Sequence, residues 1–153
     1  LLGRTGKNLT SGEDTEMCYG LRLLGFDVRY NEHLTFKHDL PMQRLDWRYL
    51  KQLFFGFGLA KARLDIYQSA LSDKPLPAQE RVPFWLNRAL FLGQQLLPDV
   101  PLLLKGTFSS MEGDKRLLES TAKLGHIKGI WQLRHTYLEL YRSIAKLKVR
   151  SEN

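Results

Sequence analysis

The hydrophobic positions of residues 11–25 predict a short helix that begins with carboxylates. Met17, Leu21 and Leu24 recur at i, i+4 and i+7, which is the spacing of one apolar helix face. Gly25 follows and supplies the left-handed residue that often ends a helix. We therefore expect this helix to pack one face on a core. A capping-box pattern precedes it and is carried by Thr10, Ser11, Glu13 and Asp14.

Alternating side chains after this helix predict two short strands. Apolar and polar residues alternate over 26–31, as they do in a strand with one buried face. The same alternation continues over 34–38, where His38 shares a face with Leu34 and Phe36. We therefore expect an inward-pointing histidine at the end of a strand.

The remaining patterns are helical. Residues 43–71 form an aromatic-rich helical pattern that follows the break at Pro41. Gly56 and Gly58 lie inside it, and each weakens a helix by about 1 kcal/mol relative to alanine. These glycines therefore predict either a kink or a close contact with another helix.

The C-terminal half predicts three helical segments. Residues 83–104 form a broken amphipathic helix, because Pro98 and Pro101 interrupt a pattern that also lacks the ~20 uninterrupted apolar residues of a membrane span. A Ser-X-X-Glu capping box opens residues 109–125. Residues 130–147 have an apolar side and a polar side. We expect the last two helices to pair as a hairpin.

Composition indicates an ordinary folded domain. The chain has 153 residues, of which 43% are hydrophobic, and this is enough to build a core. Cys18 is the single cysteine, so it cannot form an internal disulfide, which fits a reducing compartment. No secretory leader is visible at Leu1. We expect a piece of a longer polypeptide that lies in the cytoplasm or at the cytoplasmic face of the membrane.

The net charge of +7 is concentrated near the C-terminus. Residues 115–150 contain nine Lys or Arg and two Glu, whereas the rest of the chain is balanced. Such a region is attracted to phosphate-rich surfaces, whether lipid headgroups or nucleic acid. The sequence contains no zinc-ligand spacing or nucleic-acid-binding motif, so we expect no nucleic-acid partner. This charge therefore predicts a membrane surface as the partner, contacted peripherally through the basic C-terminal helices.

Glu13 and Asp14 have two interpretations. They can simply complement the positive end of the helix dipole, which contributes about 0.3–1 kcal/mol. Alternatively, the dipole and the free backbone N–H groups favour the charged form of a carboxylate, which can then act as a general base towards a hydroxyl.

The order of several short motifs resembles the distal catalytic part of family 2 glycosyltransferases, which have the glycosyltransferase-A fold. The resemblance covers roughly residues 1–64. It is carried by Gly12-Glu13-Asp14-Thr15-Glu16-Met17, Leu21-Arg22-Leu23-Leu24-Gly25-Phe26, Tyr30-Asn31, Phe36-Lys37-His38 and Pro41-Met42-Gln43-Arg44-Leu45-Asp46-Trp47-Arg48-Tyr49-Leu50.

The resemblance implies catalytic roles for three residues. Asp14 corresponds to the base that deprotonates the acceptor hydroxyl, and Glu13 supports it or contacts the acceptor. His38 corresponds to a residue that binds the divalent metal or lies at the sugar-nucleotide diphosphate. We therefore expect Mn²⁺ or Mg²⁺ in the intact enzyme, and we expect Asp14 and His38 to share one cleft. A histidine on an apolar face is also a common core residue, and this alternative stays open.

Three further residues are candidates for substrate binding. Lys37 and Arg44 are cations that could hold the diphosphate, Arg44 by a two-pronged contact. Both could equally be solvated surface groups. Trp47 could stack on an acceptor sugar, or it could belong to an aromatic stripe that packs against the sheet.

The resemblance also implies a fold and a domain division. We expect a mostly α chain with a small β element, in which residues 1–72 are the distal, acceptor-side half of a glycosyltransferase-A α/β domain. Residues 73–82 would be a linker. Residues 83–150 would be a basic, amphipathic extension that forms a helical bundle or hairpin.

The function expected from these observations is inverting transfer of a sugar from a nucleotide-sugar donor to a saccharide or lipid-linked acceptor hydroxyl. The sequence contains no Asp-X-Asp motif at a strand end and no nucleotide-binding βαβ unit, so we expect these residues alone to lack the donor site. The alternative is a non-enzymatic basic helical module that docks on a membrane surface or a partner.

Overall fold

The chain forms an assembly of helices. A computed structural model describes residues 12–72, 84–109 and 111–151. Two 3₁₀ turns lie at Met42–Leu45 and Leu97–Asp99. The α-helices are α1 (Glu13–Leu23), α2 (Trp47–Leu71), α3 (Phe84–Leu96), α4 (Val100–Phe108), α5 (Lys115–Leu133) and α6 (Tyr137–Ser151).

The predicted strands are absent from the described part of the chain, and the expected glycosyltransferase-A α/β fold is wrong. Residues 26–31 and 34–38 are neither helical nor paired. Their apolar side chains are exposed, with Tyr30 93% and Phe36 86% accessible. An alternating segment becomes a strand only when a neighbouring strand takes up its N–H and C=O groups. No described segment supplies that neighbour here.

Helix α2 is the element on which the other helices pack. It is 25 residues long and begins after Asp46, whose carboxylate accepts a hydrogen bond from the backbone N–H of Arg48. Its most extensive contact is with α5, and α1 and α6 also pack against it.

Glycines allow α2 and α5 to approach each other at backbone distance. A methyl group placed on Gly58 would lie 2.7 Å from the backbone nitrogen of His126. One placed on Gly129 would lie 2.8 Å from the carbonyl oxygen of Leu59. One placed on Gly125 would overlap the carbonyl oxygen of Phe55. Of the two alternatives predicted for the α2 glycines, Gly58 makes the close helix contact.

The helices of the C-terminal half begin at different residues from those predicted. Helix α5 follows Asp114, whose carboxylate accepts a hydrogen bond from the Leu117 N–H, so the Ser-X-X-Glu box does not open it. Helix α5 continues past Gly125, which was the predicted end of the helix. Gly125 faces α2 at this point. Helices α5 and α6 each pack chiefly on α2, so the expected hairpin is wrong. The predicted break near Pro98 is confirmed by the turn at Leu97–Asp99.

Two apolar clusters fill the spaces around α2. One joins Leu23 of α1 to Ile66, Tyr137 and Ile144 of α2 and α6. The other joins Ala62, Leu92 and Ile130 of α2, α3 and α5.

Within the described ranges, no helix is long and apolar enough to cross a membrane. The predicted linker at 73–82 lies outside those ranges, and the proposed domain division stays a prediction.

Helix α1 ends as predicted but presents a different face to the core. Gly25 has φ of 82° and takes the left-handed conformation. Gly12 is the N-cap, while Thr10 and Ser11 lie outside the described residues. Met17 is 61% exposed, and Leu21 and Leu24 are also exposed, so the predicted apolar face is wrong. Glu16 and Leu23 are buried instead.

We expect Gly125→Ala to lower the free energy of unfolding by about 1–3 kcal/mol, because the new methyl group overlaps the α2 backbone. Gly93→Ala is the matched control, since Gly93 is helical and a methyl group added there would have no heavy atom within 4 Å. The control should raise stability by about 0.5–1 kcal/mol. Urea unfolding measures both changes. Equal behaviour of the two variants would contradict the close α2–α5 packing.

Candidate functional site

A buried carboxylate holds α1 against α2. The Glu16 side chain is 1% exposed, and its Oε1 accepts hydrogen bonds from Arg63 Nε at 2.8 Å and Tyr67 Oη at 2.9 Å. Burial raises the pKa of Tyr67, and the hydrogen bond to the Glu16 carboxylate raises it further. Because Arg63 and Tyr67 lie one helical turn apart, they fix both the position and the rotation of α1. This contact explains why Met17 faces solvent.

Asp14 lies in the first turn of this anchored helix. Its side chain is exposed and lines a cavity of about 270 Å³ between α1 and α2. Tyr19, Lys61 and Gln68 are polar residues in the same wall, and Phe57 contributes an apolar surface. The Gln68 amide donates to the Tyr19 hydroxyl at 3.0 Å. The cavity therefore combines one carboxylate with several groups that can bind a polar molecule.

A second carboxylate, Asp65, joins α2 to α5 and α3. Its Oδ1 accepts from Lys61 Nζ at 2.8 Å, and its Oδ2 lies 3.0 Å from His126 Nε2 and 3.5 Å from Arg88 Nη2. Burial raises the pKa of Asp65, but hydrogen bonds and positive charge from His126 and Lys61 outweigh it and lower that pKa to about 2. Asp65 is thus an ionised anchor between helices.

A third carboxylate, Asp99, joins the turn before α4 to α5. It accepts from Ser120 Oγ at 2.8 Å and from Arg116 Nε at 2.7 Å, and Lys123 Nζ lies 3.8 Å away. The Ser120 hydrogen bond is the largest cause of a lowered pKa, and the Arg116 charge contributes, although burial opposes both.

Four of the predicted site residues lie in two different segments of the described chain. Glu13 is exposed beside Asp14 at the start of α1, whereas His38 and Lys37 lie in the exposed non-helical stretch. The cavity that Asp14 lines does not include His38. The shared cleft expected for Asp14 and His38 stays a prediction.

The other two predicted residues lie at the entrance to α2. Arg44 is half-buried in the 3₁₀ turn. Trp47 is half-buried at the first residue of α2, and its Nε1 has no hydrogen-bond acceptor among the described residues. Neither residue lines the cavity of Asp14.

The described residues do not fit a metal site. They contain no group of three or more His, Cys, Asp or Glu side chains that could hold an ion. The expectation of Mn²⁺ or Mg²⁺ concerned an intact enzyme and stays a prediction.

Much of the basic region is already engaged within the fold. Arg116 and Lys123 face Asp99, Lys128 lies 5.4 Å from the centre of the Phe55 ring, and Arg134 stacks at 4.3 Å on Trp131. The apolar side of α6 packs in the core. Peripheral membrane contact stays a prediction, and it would use the exposed polar side of these helices.

Sequence reasoning assigned no role to the buried ionised groups. Glu16 was present in the acidic motif, and its spacing of i, i+3 and i+7 to Tyr19 and Leu23 could have indicated the buried face. Arg63 and Tyr67 show the i, i+4 spacing of a shared partner. Asp65 shows the i, i+4 spacing to Lys61, but its other partners and those of Asp99 are distant in sequence, so their anchoring roles had no comparable signal.

Comparison with protein-family models, with curated proteins and with solved structures finds no match.

We expect Glu16→Gln to lower the free energy of unfolding by about 3 kcal/mol, because Arg63 loses its charged partner inside the fold. Glu13→Gln, on the exposed side of the same helical turn, should change stability by less than about 0.5 kcal/mol. Thermal and urea unfolding compare the two variants. A Glu16→Gln protein as stable as the control would show that this ion pair does not hold α1 on α2.

Asp65 should make the free energy of unfolding depend on pH. Its folded pKa of about 2 lies below the ordinary value of 3.8, so the unfolded chain takes up the proton first as the pH falls. The stabilisation, on the order of 2 kcal/mol, is complete above the ordinary pKa and is lost as the pH falls to about 2.

The Asp65→Asn variant, which has no carboxylate at this position, is compared with the wild type to test this effect. Urea unfolding at several pH values should show a wild-type advantage that is constant near pH 5 and shrinks towards about pH 2. An advantage independent of pH over that range would contradict the ionised role of Asp65.

Proposed function

We propose that this chain supplies the acceptor side of a glycosyltransferase, in which Asp14 is the general base. The observation that carries the proposal is the position of Asp14: an exposed carboxylate in the first turn of α1, in the wall of a cavity that also contains Tyr19, Lys61 and Gln68. The motif order around Asp14, which resembles family 2 glycosyltransferases, gives the reaction class.

The anchoring of α1 supports this role. Catalytic groups must be held in place by their surroundings, and a side chain on a helix is held better than one on a loop. Glu16 is two residues after Asp14 and is fixed by Arg63 and Tyr67. The Glu16 ion pair would therefore position the Asp14 carboxylate against the cavity without taking part in the reaction.

The proposed reaction is an inverting displacement. The acceptor hydroxyl oxygen forms a bond to the anomeric carbon of the donor sugar while the bond from that carbon to the diphosphate oxygen breaks. The diphosphate leaves with the bonding electron pair, and the hydroxyl proton passes to the Asp14 carboxylate. General-base assistance of this kind typically contributes about 10²–10⁴-fold in rate.

The proposed reaction needs two substrates, an acceptor and a donor. The acceptor is a saccharide or a lipid-linked saccharide, whose hydroxyl would enter the cavity beside Asp14. The donor is a nucleotide sugar, and its binding site would come from another part of a longer polypeptide. Glu13, exposed beside Asp14, would support the base or contact the acceptor.

In the full-length enzyme we expect Asp14→Asn to lower the rate of glycosyl transfer by at least about 10²-fold, because the amide cannot accept the hydroxyl proton. Donor binding should remain nearly unchanged. Glu119→Gln, an exposed change on α5, is the control and should retain full activity. Product formation and donor affinity are measured separately. Normal turnover in Asp14→Asn would remove Asp14 from the mechanism.

A further inference from the structure

A second cavity lies among four helices. Its volume is about 380 Å³, within the ~300–1,000 Å³ typical of small-molecule sites. Helices α2, α3, α5 and α6 all contribute to its wall. None of the residues assigned to glycosyl transfer above lines it.

One wall of this cavity is apolar and aromatic. Trp85 and Ile130 line it, together with the small side chain of Ala62. Trp131 meets Trp85 edge-to-face, with ring centres 5.8 Å apart and an interplanar angle of 81°. This contact restrains the Trp85 ring, which gives the cavity a defined aromatic surface.

The cavity wall also offers hydrogen-bond acceptors. The Ser69 hydroxyl donates to the Asp65 carbonyl at 2.8 Å, and the Ser72 hydroxyl donates to the Ser69 carbonyl at 3.1 Å. The Gln68 amide nitrogen donates to Tyr19 at 3.0 Å. In each of these bonds the Ser or Gln side chain is the donor. The two hydroxyl oxygens and the Gln68 carbonyl oxygen can therefore still accept hydrogen bonds.

The charges in the wall oppose a charged ligand. Arg88 is the cation that lines the cavity, and its Nη2 lies 3.5 Å from the Asp65 carboxylate. An anion or a cation would therefore meet one attractive and one repulsive group. A purely apolar ligand would leave the remaining hydrogen-bonding capacity of Gln68 and Arg88 unused in a buried place, which is costly.

We propose that this cavity binds a neutral saccharide residue of the acceptor, an assignment that builds on the proposed glycosyl transfer. A sugar ring has a C–H face that packs on an aromatic ring and a rim of hydroxyl groups that donate to acceptors. Trp85 supplies the first contact, and Gln68, Ser69 and Ser72 supply the second. Arg88 donates to a hydroxyl or ring oxygen.

Gln68 lies between this cavity and the one that Asp14 lines, because it belongs to both walls. Its hydrogen bond to Tyr19, a residue of the Asp14 cavity, fixes its side chain at this junction. An acceptor of several sugar units could therefore place its terminal hydroxyl at Asp14 and an inner sugar beside Trp85. The second cavity is thus a remote acceptor subsite.

Calorimetric titration of the full-length protein with neutral tetrasaccharides of glucose, of mannose and of N-acetylglucosamine tests this subsite, each up to about 10 mM without donor. We expect at least one to bind. Gln68→Leu should weaken that binding about tenfold, because the hydroxyl donor loses its acceptor. Gln52→Leu, an exposed change on the same helix outside the cavity, is the matched control and should bind as the wild type does.

Trp85→Leu should weaken binding by at least the same factor, provided that circular dichroism shows the native helix content. Gln68 is exposed, so its variant tests the proposal even if the tryptophan variant does not fold. Absence of binding to all three probes, or unchanged binding by Gln68→Leu, would overturn the assignment.

Asp14→Asn separates this proposal from the general-base proposal. Asp14 does not line the second cavity, so this variant should bind the tetrasaccharide like the wild type. Normal turnover with retained binding would reject the base and leave the saccharide site. Loss of turnover in a protein that binds none of the probes would reject only the saccharide site.

Discussion

The close approach of α2 and α5 is the constraint on which the rest of the fold depends. Gly58, Gly125 and Gly129 remove the side chains that would keep the two backbones apart. At this distance packing leaves little free volume, so each helix fixes the rotation of the other. The residues of α2 are thereby divided into those that face α5 and those that face α1, α3 and α6. Both cavities have α2 as one wall as a result.

Carboxylates that are buried or half-buried then attach the outer helices to this pair. Glu16 holds α1, Asp65 faces α3 and α5, and Asp99 holds the turn before α4. A buried charge is tolerated only when cations and hydrogen bonds surround it, which makes each contact specific in geometry. These pairs also engage part of the positive charge of the basic C-terminal region within the fold.

The proposed chemistry uses this division between anchoring and exposed groups. Within one helical turn, Glu16 is buried and fixed while Asp14 is exposed at a cavity. Along α2, Asp65 anchors while Gln68 lies where two cavities meet. A rigid anchor next to an accessible polar group is the arrangement that precise positioning of a substrate requires.

The local features were determined by the sequence itself: α2, the break near Pro98 and the left-handed Gly25 follow from short-range periodicity, proline and glycine. The pattern also placed Asp14 in a first helical turn. Only the tertiary structure decided which face of α1 is buried, because Arg63 and Tyr67 outweigh the apolar stripe that includes Met17. It likewise decided that residues 26–38 form no strand and that His38 is not in the wall of the cavity that Asp14 lines. Strand formation and ion pairing need partners that are distant along the chain, and local spacing carries no information about such partners.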